Sequence, residues 1–334
     1  MHKNETRNQH FLSRTEQALN ALNPNATGRN KRIYVFEVVD RERNVLRIEG
    51  ERGASINSNL SYDDLFSFDV PGGENVRMNF ERQFQSYERS VELHTSSLLK
   101  KLRRGSRAVE SEVASLFAAK LLNFVRNPYS IQKVLNTFPG VTSYTPTDKE
   151  LLATYRKVVD GRKPHQAHIC QTLGVSDAQY VEWLRLLFML LVPLSGDRPN
   201  FFDEMVRGLL QIPGNIVFAY VCDYDNAACL LSDRGFSQPL PDELGLSFGF
   251  NLCSNAFVNF IFCDPAKVLP ASAGLDMWKQ ASSSRRYRTV EVSYQRNHLD
   301  LLTKYNQDVI YQSYRRVFGS SKQIHLGQGT LLTS

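Results

Sequence analysis

The chain has 334 residues, of which 42% are hydrophobic and 22% charged, with 40 Lys and Arg against 34 Asp and Glu and a net charge of +6. These are ordinary values for a globular protein, so a disordered chain, a collagen-like repeat and a coiled-coil rod are excluded. The length indicates about two domains, or one domain with an inserted helical block. The mildly basic balance permits a polyanionic partner without requiring one.

No segment predicts contact with a membrane. The chain opens on the polar sequence MHKNETRNQH, which lacks the apolar run of a secretory signal. The most apolar segment, Trp183 to Leu194, is shorter than the about 20 residues that cross a bilayer, so a buried helix is predicted there. Five cysteines lack C-x-x-C or zinc-finger spacing, which predicts reduced thiols and a cytoplasmic protein: Cys170, Cys222, Cys229, Cys253 and Cys263.

The first predicted elements are strands and the next are helices. Residues 32–49 contain two β-rich runs around a polar turn, which predicts a hairpin. After Pro71-Gly72-Gly73, apolar residues at helical spacing predict one long helix from about Asn79 to Arg104. A second helix is predicted from about Glu110 to Arg126, and further helices over 129–211.

The pattern changes after Pro213. Short β-branched or aromatic runs predict strands at 215–222, 227–232, 246–253 and 257–263, followed by a loop over 271–288 and a last helix over 293–318. We therefore predict an α+β fold, in which N- and C-terminal strands form a mixed sheet core with a large central helical block and a long C-terminal helix. The predicted parts are residues 1–78, 79–212 and 213–334.

Standard catalytic motifs are absent from the sequence. It contains no P-loop, no G-x-G-x-x-G after a strand, no G-x-S-x-G and no H-E-x-x-H. A nucleotide-dependent enzyme of a standard type is therefore not expected.

Four short segments occur in an order typical of one family. They are Gln9-His10-Phe11-Leu12 before the IYVFEV strand, Ile56 to Phe66 with Asn79-Phe80-Glu81 and Glu88 after it, Leu230 to Arg234, and Tyr305-Asn306. In this order the chain resembles the bacterial domain-of-unknown-function 4238 family. Two positions depart from that pattern, because Ser13 and Gly235 stand where the family commonly has proline. The resemblance implies a cytoplasmic antiphage-defence effector from a mobile bacterial island, without identifying a reaction.

The matched segments supply the candidate catalytic residues. His10 can act as a general acid or base at neutral pH, or it can be a surface or capping histidine. Asp233 and Arg234 follow an apolar run. There Asp233 could orient a histidine, serve as a base, bind a metal or only cap a turn, and Arg234 could hold a phosphate. Asn306 lies on an apolar helical stripe, so it either holds a neighbouring backbone or faces the site.

Charged residues supply candidates for metal and nucleic-acid binding. Glu81 and Glu88 are seven positions apart, so they share a helix face and could bind a divalent metal or work as an acid/base pair, although a solvated face is the commoner arrangement. Clustered cations are candidates for nucleic-acid binding, or else solvated helix ends: Lys100, Lys101, Arg103, Arg104, Arg285 and Arg286. A third basic group contains Arg315, Arg316 and Lys322.

Two functions from different classes fit these observations. The first is a hydrolytic effector, a nuclease acting on RNA or DNA, in which His10 is the acid/base, Asp233 assists and Arg234 neutralises the phosphate. The second is a non-enzymatic sensor that recognises a phage component, with the polar residues serving as structural pins. Convergence of His10, Asp233 and Asn306 in one pocket would favour the enzyme.

Overall fold

The computed structural model describes residues 6–69, 77–193, 198–211, 216–240, 245–263, 290–327 and 332–333. The helices in these ranges are α1 (Arg14–Leu19), α2 (Glu81–Glu88), α3 (Val91–Arg103), α4 (Glu110–Val125), α5 (Ile131–Thr137), α6 (Lys149–Asp160), α7 (Gln166–Leu173), α8 (Asp177–Leu191), α9 (Phe201–Leu210) and α10 (Leu299–Gln312). The N-terminal strands are β1 (Asn8–His10), β2 (Arg32–Asp40), β3 (Val45–Ile48), β4 (Ala54–Ser55), β5 (Ser61–Asp63), β6 (Phe68–Asp69) and β7 (Arg77–Met78). The C-terminal strands are β8 (Ile216–Asp223), β9 (Leu231–Ser232), β10 (Leu246–Cys253), β11 (Ala256–Cys263), β12 (Glu291–Arg296), β13 (Arg316–Gly319) and β14 (Leu332–Thr333).

One sheet joins the two ends of the chain. Its strand order is β14-β3-β2-β13-β9, with β4 added beside β2. Strand β13 pairs antiparallel with β2, so that Val317 lies opposite Phe36, and with β9, so that Val317 lies opposite Ser232. The predicted α+β fold is confirmed, with N- and C-terminal strands sharing a sheet that flanks the helical segment in sequence.

A second sheet packs against helices on both faces. Its order is β10-β11-β8-β12, antiparallel except for the parallel pair of β12 and β8. Phe260, on one face of β11, lies 4.7 Å from Phe117 of α4, measured between ring centres. Phe257 points to the opposite face, where its ring stacks at 4.1 Å on Tyr305 of α10. The alternation of a strand therefore explains why β11 has apolar residues on both faces, with Asn259 the polar exception.

The helical block forms as predicted, with one difference. Helices α2 to α9 all lie within residues 79–212, and α8 confirms the buried helix predicted near Trp183. The predicted single helix over 79–104 is instead two, α2 and α3, separated at Arg89 and Ser90. The Ser90 hydroxyl hydrogen-bonds the carbonyl of Tyr87 at 3.4 Å, a local bond that competes with the helical pattern. No helix in the described ranges is both long and apolar enough to cross a membrane.

The prediction of one long C-terminal helix over 293–318 is wrong. The segment is a strand, a helix and a strand, namely β12, α10 and β13. Asn297 breaks the pattern before α10, since it adopts φ +57 and its side chain accepts a hydrogen bond from the Asp225 backbone at 2.9 Å. After α10 the backbone nitrogens of Tyr314, Arg315 and Arg316 donate hydrogen bonds to the side chain of Asp233. The strand predicted over 227–232 is likewise short, containing only Leu231 and Ser232.

Candidate acid–base site at His10 and Glu81

Strand β1 fixes the direction of His10. It pairs antiparallel with β5, placing His10 opposite Ser61. The neighbouring Gln9 is fully buried and bonds to Ser67 at 2.8 Å and to the Phe66 backbone at 2.6 Å. Because side chains alternate along a strand, His10 points away from this anchor. Its own burial is partial.

The ring nitrogens of His10 have different roles. Nε2 lies 3.1 Å from the carbonyl oxygen of Ile56. A carbonyl only accepts hydrogen bonds, so we assign the ring hydrogen to Nε2, which leaves Nδ1 as an acceptor. Burial lowers the pKa of His10 to about 4, the Ile56 hydrogen bond opposes this, and Arg14 and Arg126 lower it further. The ring is therefore neutral at pH 7 and able to take up a proton.

Helix α2 supplies two glutamates to the same group of side chains. Glu81 opens the helix, where its backbone nitrogen donates to the Asn79 side chain at 3.1 Å, and Glu88 ends it. Burial raises the pKa of Glu81 to about 7, Arg126 and Arg14 oppose this, and Glu88 adds to it. The charges that act on Glu81 are those that act on His10, namely Arg14, Glu88 and Arg126. His10 and Glu81 thus share one electrostatic environment.

Arg126 is the cationic centre of this site. It is the residue immediately after α4, 1% exposed, and it donates to Glu88 at 2.5 Å and to Asn123 at 2.9 Å. Its guanidinium also lies 4.8 Å above the ring centre of Phe84. Two buried polar atoms of this site have no hydrogen-bond partner, Oε1 of Glu81 and Nε of Arg126. Each of these atoms calls for a partner, which an ordered water or a ligand would supply.

A second buried ion pair is linked to Arg126 by hydrogen bonds through Asn123. Lys120 of α4 donates to Glu16 of α1 at 2.8 Å, and both are at most 2% exposed. The other oxygen of Glu16 accepts a hydrogen bond from Asn123, whose own oxygen accepts from Arg126. The buried polar chain therefore runs from Lys120 through Glu16 and Asn123 to Arg126.

The sequence interpretation missed Arg14, Arg126 and Lys120. One signal was available for Lys120, which lies three residues after Phe117 and four before Phe124, inside the apolar stripe of α4. A cation in such a stripe requires a buried partner. Nothing in the sequence indicates that the partner is Glu16, more than a hundred residues away.

Asp233, predicted as a catalytic residue, has a structural role in this geometry. Its carboxylate accepts hydrogen bonds from the backbone nitrogens of Tyr314 at 2.7 Å, Arg315 at 2.7 Å and Arg316 at 2.9 Å. Its own backbone carbonyl accepts a bond from Asn127 at 2.9 Å. The carboxylate is buried and turned toward the start of β13, so the structure does not join it to His10. These bonds explain why the chain leaves α10 and enters a strand.

Two roles were predicted for Asn306, and the one that it has is structural, since it holds neighbouring backbone segments. The side chain is fully buried, and its oxygen accepts from the backbone of Leu230 at 2.9 Å. Its nitrogen donates to the carbonyls of Ala228 at 3.2 Å and His325 at 2.9 Å. With these three bonds the amide holds the segment before β9 against α10 and leaves no hydrogen-bonding atom for a substrate.

Arg234 lies next to Tyr314. Its guanidinium is 5.9 Å from the centre of the Tyr314 ring, and its buried Nε has no hydrogen-bond partner. The following Gly235 adopts φ +76, and a Cβ there would lie 3.1 Å from Leu12. A proline cannot adopt that φ.

The predicted basic cluster on α3 is partly used within the fold. Lys101 pairs with Glu112 at 2.7 Å and Arg103 with the buried Asp223 at 2.5 Å. Lys100 and Arg104 are exposed, so they remain candidates for nucleic-acid contact. Arg285 and Arg286, and the loop predicted over 271–288, lie outside the described residues.

The predicted metal site has the two predicted glutamates but no third ligand within the described residues. Within the described ranges, no group of three or more His, Cys, Asp or Glu side chains is placed to hold a metal ion. Of the two predicted ligands, Glu88 is bonded to Arg126, while Glu81 has one open oxygen. A divalent metal at Glu81 and Glu88 therefore stays a prediction without further support from this geometry.

Comparison of the chain with protein-family models, curated proteins and solved structures finds no match. The motif resemblance described above therefore stays a prediction, and the function is argued from the site alone.

Proposed function

We propose that this protein is a nuclease that cleaves RNA by acid–base catalysis at His10 and Glu81. One observation carries the proposal: two titratable side chains share the same charged neighbours, and their pKa values are displaced in opposite directions. Between pH 4 and pH 7 one is an unprotonated base and the other retains a proton. Opposite shifts of this kind suit one group to remove a proton and the other to donate one.

The roles follow from the atoms available. Nδ1 of His10 accepts the proton of the attacking hydroxyl, and Glu81 donates its proton to the leaving oxygen. The open Nε of Arg126 and the exposed guanidinium of Arg14 neutralise the charge that develops on the phosphate. In this proposal the nucleophile comes from the substrate or from water.

The 2′-hydroxyl of RNA suits such a site. It attacks the adjacent phosphorus, His10 takes its proton, the bond to the 5′ oxygen breaks, and that oxygen takes the proton of Glu81. The products are a 2′,3′-cyclic phosphate and a 5′-hydroxyl, and proton exchange with water restores both side chains. In the setting that the resemblance implies, this activity would serve antiphage defence. We place it in the cytoplasm because Cys170, Cys222 and Cys229 are free and buried.

The test uses single-stranded oligonucleotides of one sequence made as RNA, DNA and 2′-O-methyl RNA. Wild-type protein is expected to cleave only the RNA, leaving a cyclic phosphate end. His10→Ala and Glu81→Gln are each expected to lower the rate by about 10²-fold or more. The matched controls are His168→Ala and Glu182→Gln, which change exposed side chains on α7 and α8.

Three outcomes contradict the proposal in different ways. Cleavage of the 2′-O-methyl RNA would exclude the 2′-hydroxyl as nucleophile and favour attack by water. Full activity in both site variants would exclude this site. Intact RNA and DNA with wild-type protein would favour the alternative, a binding protein that recognises a phage component.

A further inference from the structure

Arginines that form no ion pair within the described residues gather around Tyr314, at the junction of α10 and β13. The guanidinium carbons of Arg234 and Arg315 both lie 5.9 Å from the centre of the Tyr314 ring. Arg41 donates to the Tyr314 carbonyl at 3.4 Å and to that of Tyr311 at 3.3 Å. These contacts use the aromatic ring and backbone oxygens, not carboxylates, so the positive charges remain available to an anion.

The nearby carboxylates are already used. The Asp233 carboxylate accepts hydrogen bonds from three backbone nitrogens and acts on Arg234 only through its charge, and Glu49 pairs with Arg316 at 2.7 Å. Within the described part of the chain, neither Arg234 nor Arg315 forms an ion pair. Arg234 also has a buried Nε without an acceptor, whereas Arg315 is exposed. A half-buried guanidinium with an open donor is a place where a phosphate oxygen fits.

Half-buried tyrosines lead from this cluster to the strand beside His10. The Tyr314 ring stacks on Tyr129 at 4.5 Å, with 13° between the planes. The hydroxyls of Tyr129 and Tyr62 are 2.9 Å apart, and Phe11 is buried against both rings. Tyr62 belongs to β5 and lies opposite Gln9 of β1, so its ring is on the face of this strand pair that is turned away from His10. Only one hydroxyl of the tyrosine pair donates to the other, so one phenolic hydrogen is left for a ligand.

We propose that Arg234, Arg315, Tyr314, Tyr129 and Tyr62, here called the arginine–tyrosine track, bind the backbone of single-stranded RNA. Alternating cations and aromatic side chains along a surface are typical of single-strand binding, because the cations contact phosphates and the aromatic groups contact sugars and bases. The identity of the ligand as RNA rests on the proposed function, whereas binding itself requires no cleavage.

The experiment measures binding of a fluorescent 12-nucleotide 2′-O-methyl RNA by wild-type protein over a range of salt concentrations. This probe lacks the 2′-hydroxyl and separates binding from cleavage. Each phosphate contact contributes about 0.7 to the slope of log affinity against log salt for a single strand. Arg315→Gln is expected to reduce that slope by about 0.7 and to weaken binding several-fold, and Arg234→Gln/Arg315→Gln to weaken it about tenfold or more.

Matched variants keep the test independent of folding. Arg156→Gln removes an exposed arginine from α6, and its affinity and slope are expected to equal those of wild type. Tyr129→Phe removes one hydroxyl and is expected to weaken binding about two- to threefold. Arg234 is half-buried, so its variant is compared only if its melting temperature is unchanged. Arg315 is exposed, so its variant supplies the result in any case.

The outcomes distinguish the track from the catalytic proposal. Affinities of the Arg315 and double variants within twofold of wild type would overturn the track, even if His10→Ala still abolishes cleavage. Binding that depends on Arg315, without cleavage of ordinary RNA, would support the track and overturn the nuclease. Equal competition by vesicles of anionic lipid or by an acidic peptide would show a general anion surface and also overturn the RNA track.

Discussion

Arg126 donates to the carboxylate of Glu88 across 2.5 Å, with the arginine 1% and the glutamate 25% exposed. This contact joins the end of α2 to the end of α4, two helices that also meet through Phe84 beneath the guanidinium. The pair places a fixed positive charge near His10 and Glu81. It therefore links the packing of the helical block to the chemistry of the site.

Arg126→Met is expected to destabilise the protein by about 3–5 kcal/mol, because it leaves the Glu88 carboxylate and the Asn123 oxygen without their partner. The free energy of unfolding in urea measures the change. Arg162→Met is the control, since Arg162 is 80% exposed in its pair with Asp69 and such pairs contribute about 0–1 kcal/mol. Equal effects of the two substitutions would show that Arg126 is not buried as described.

Asp233→Ala is expected to reduce stability by about 3 kcal/mol or more, since it leaves three backbone nitrogens without an acceptor. The rate of RNA cleavage per folded molecule is expected to stay within about threefold of wild type. Thermal unfolding and cleavage by the folded fraction measure the two effects. A soluble variant of wild-type stability that has lost cleavage would instead place Asp233 in the catalytic site, as the sequence interpretation had it.

Local patterns predicted the elements that depend on local contacts, and missed what depends on distant ones. Alternating and helical periodicities located β2, β10, β11, α4 and α8, whose burial follows from their own residues. The end of α10 could not be predicted, because the side chain that stops it belongs to Asp233, some eighty residues earlier.

The candidate site shows the same division. His10 was identified by the matched motif and its residue type, and Glu81 and Glu88 by their spacing. Their common neighbour Arg126 was not, because its position depends on the packing of α4 against α1 and α2. Asp233 and Asn306 were identified as important polar residues, but their role follows from backbone atoms far along the chain, which no short motif specifies.

The rate of RNA cleavage is expected to be highest between about pH 4 and pH 7. Below the lower value His10 takes up a proton and cannot serve as the base, and above the higher value Glu81 has lost the proton that it donates. A profile of the cleavage rate from pH 3.5 to pH 9 tests this. A rate that rises steadily through pH 8 would exclude Glu81 as the acid.

The stability of Glu81→Gln relative to wild type is expected to depend on pH. The pKa of Glu81 is about 7 in the fold against 4.5 for the free side chain, so the folded state binds the proton more tightly. The contribution of this proton to the free energy of unfolding is therefore complete below about pH 4.5 and is lost as the pH rises through 7. At pH 8 the buried charge costs on the order of 3 kcal/mol that glutamine avoids.

Urea unfolding at pH 5 and pH 8 compares the two proteins, with Glu182→Gln as the exposed control. We expect Glu81→Gln to become more stable relative to wild type when the pH is raised from 5 to 8. The stability of Glu182→Gln is expected to change with pH in the same way as that of wild type. A constant difference at both pH values would mean that Glu81 titrates normally, and would remove the acid assigned in the proposed mechanism.

The buried pair of Lys120 and Glu16 is expected to show strong coupling. Lys120→Met alone leaves a buried carboxylate without its cation, which costs about 3–5 kcal/mol. Glu16→Gln/Lys120→Met removes both charges and keeps a side-chain oxygen for the hydrogen bond from Asn123. The double variant is therefore expected to recover most of the lost stability, measured by urea unfolding.

The exposed pair of Glu37 and Arg47, changed in the same way, is expected to show little coupling. Additive losses at Glu16 and Lys120 would mean that the two charges are solvated separately and that the polar chain behind Arg126 does not exist in solution.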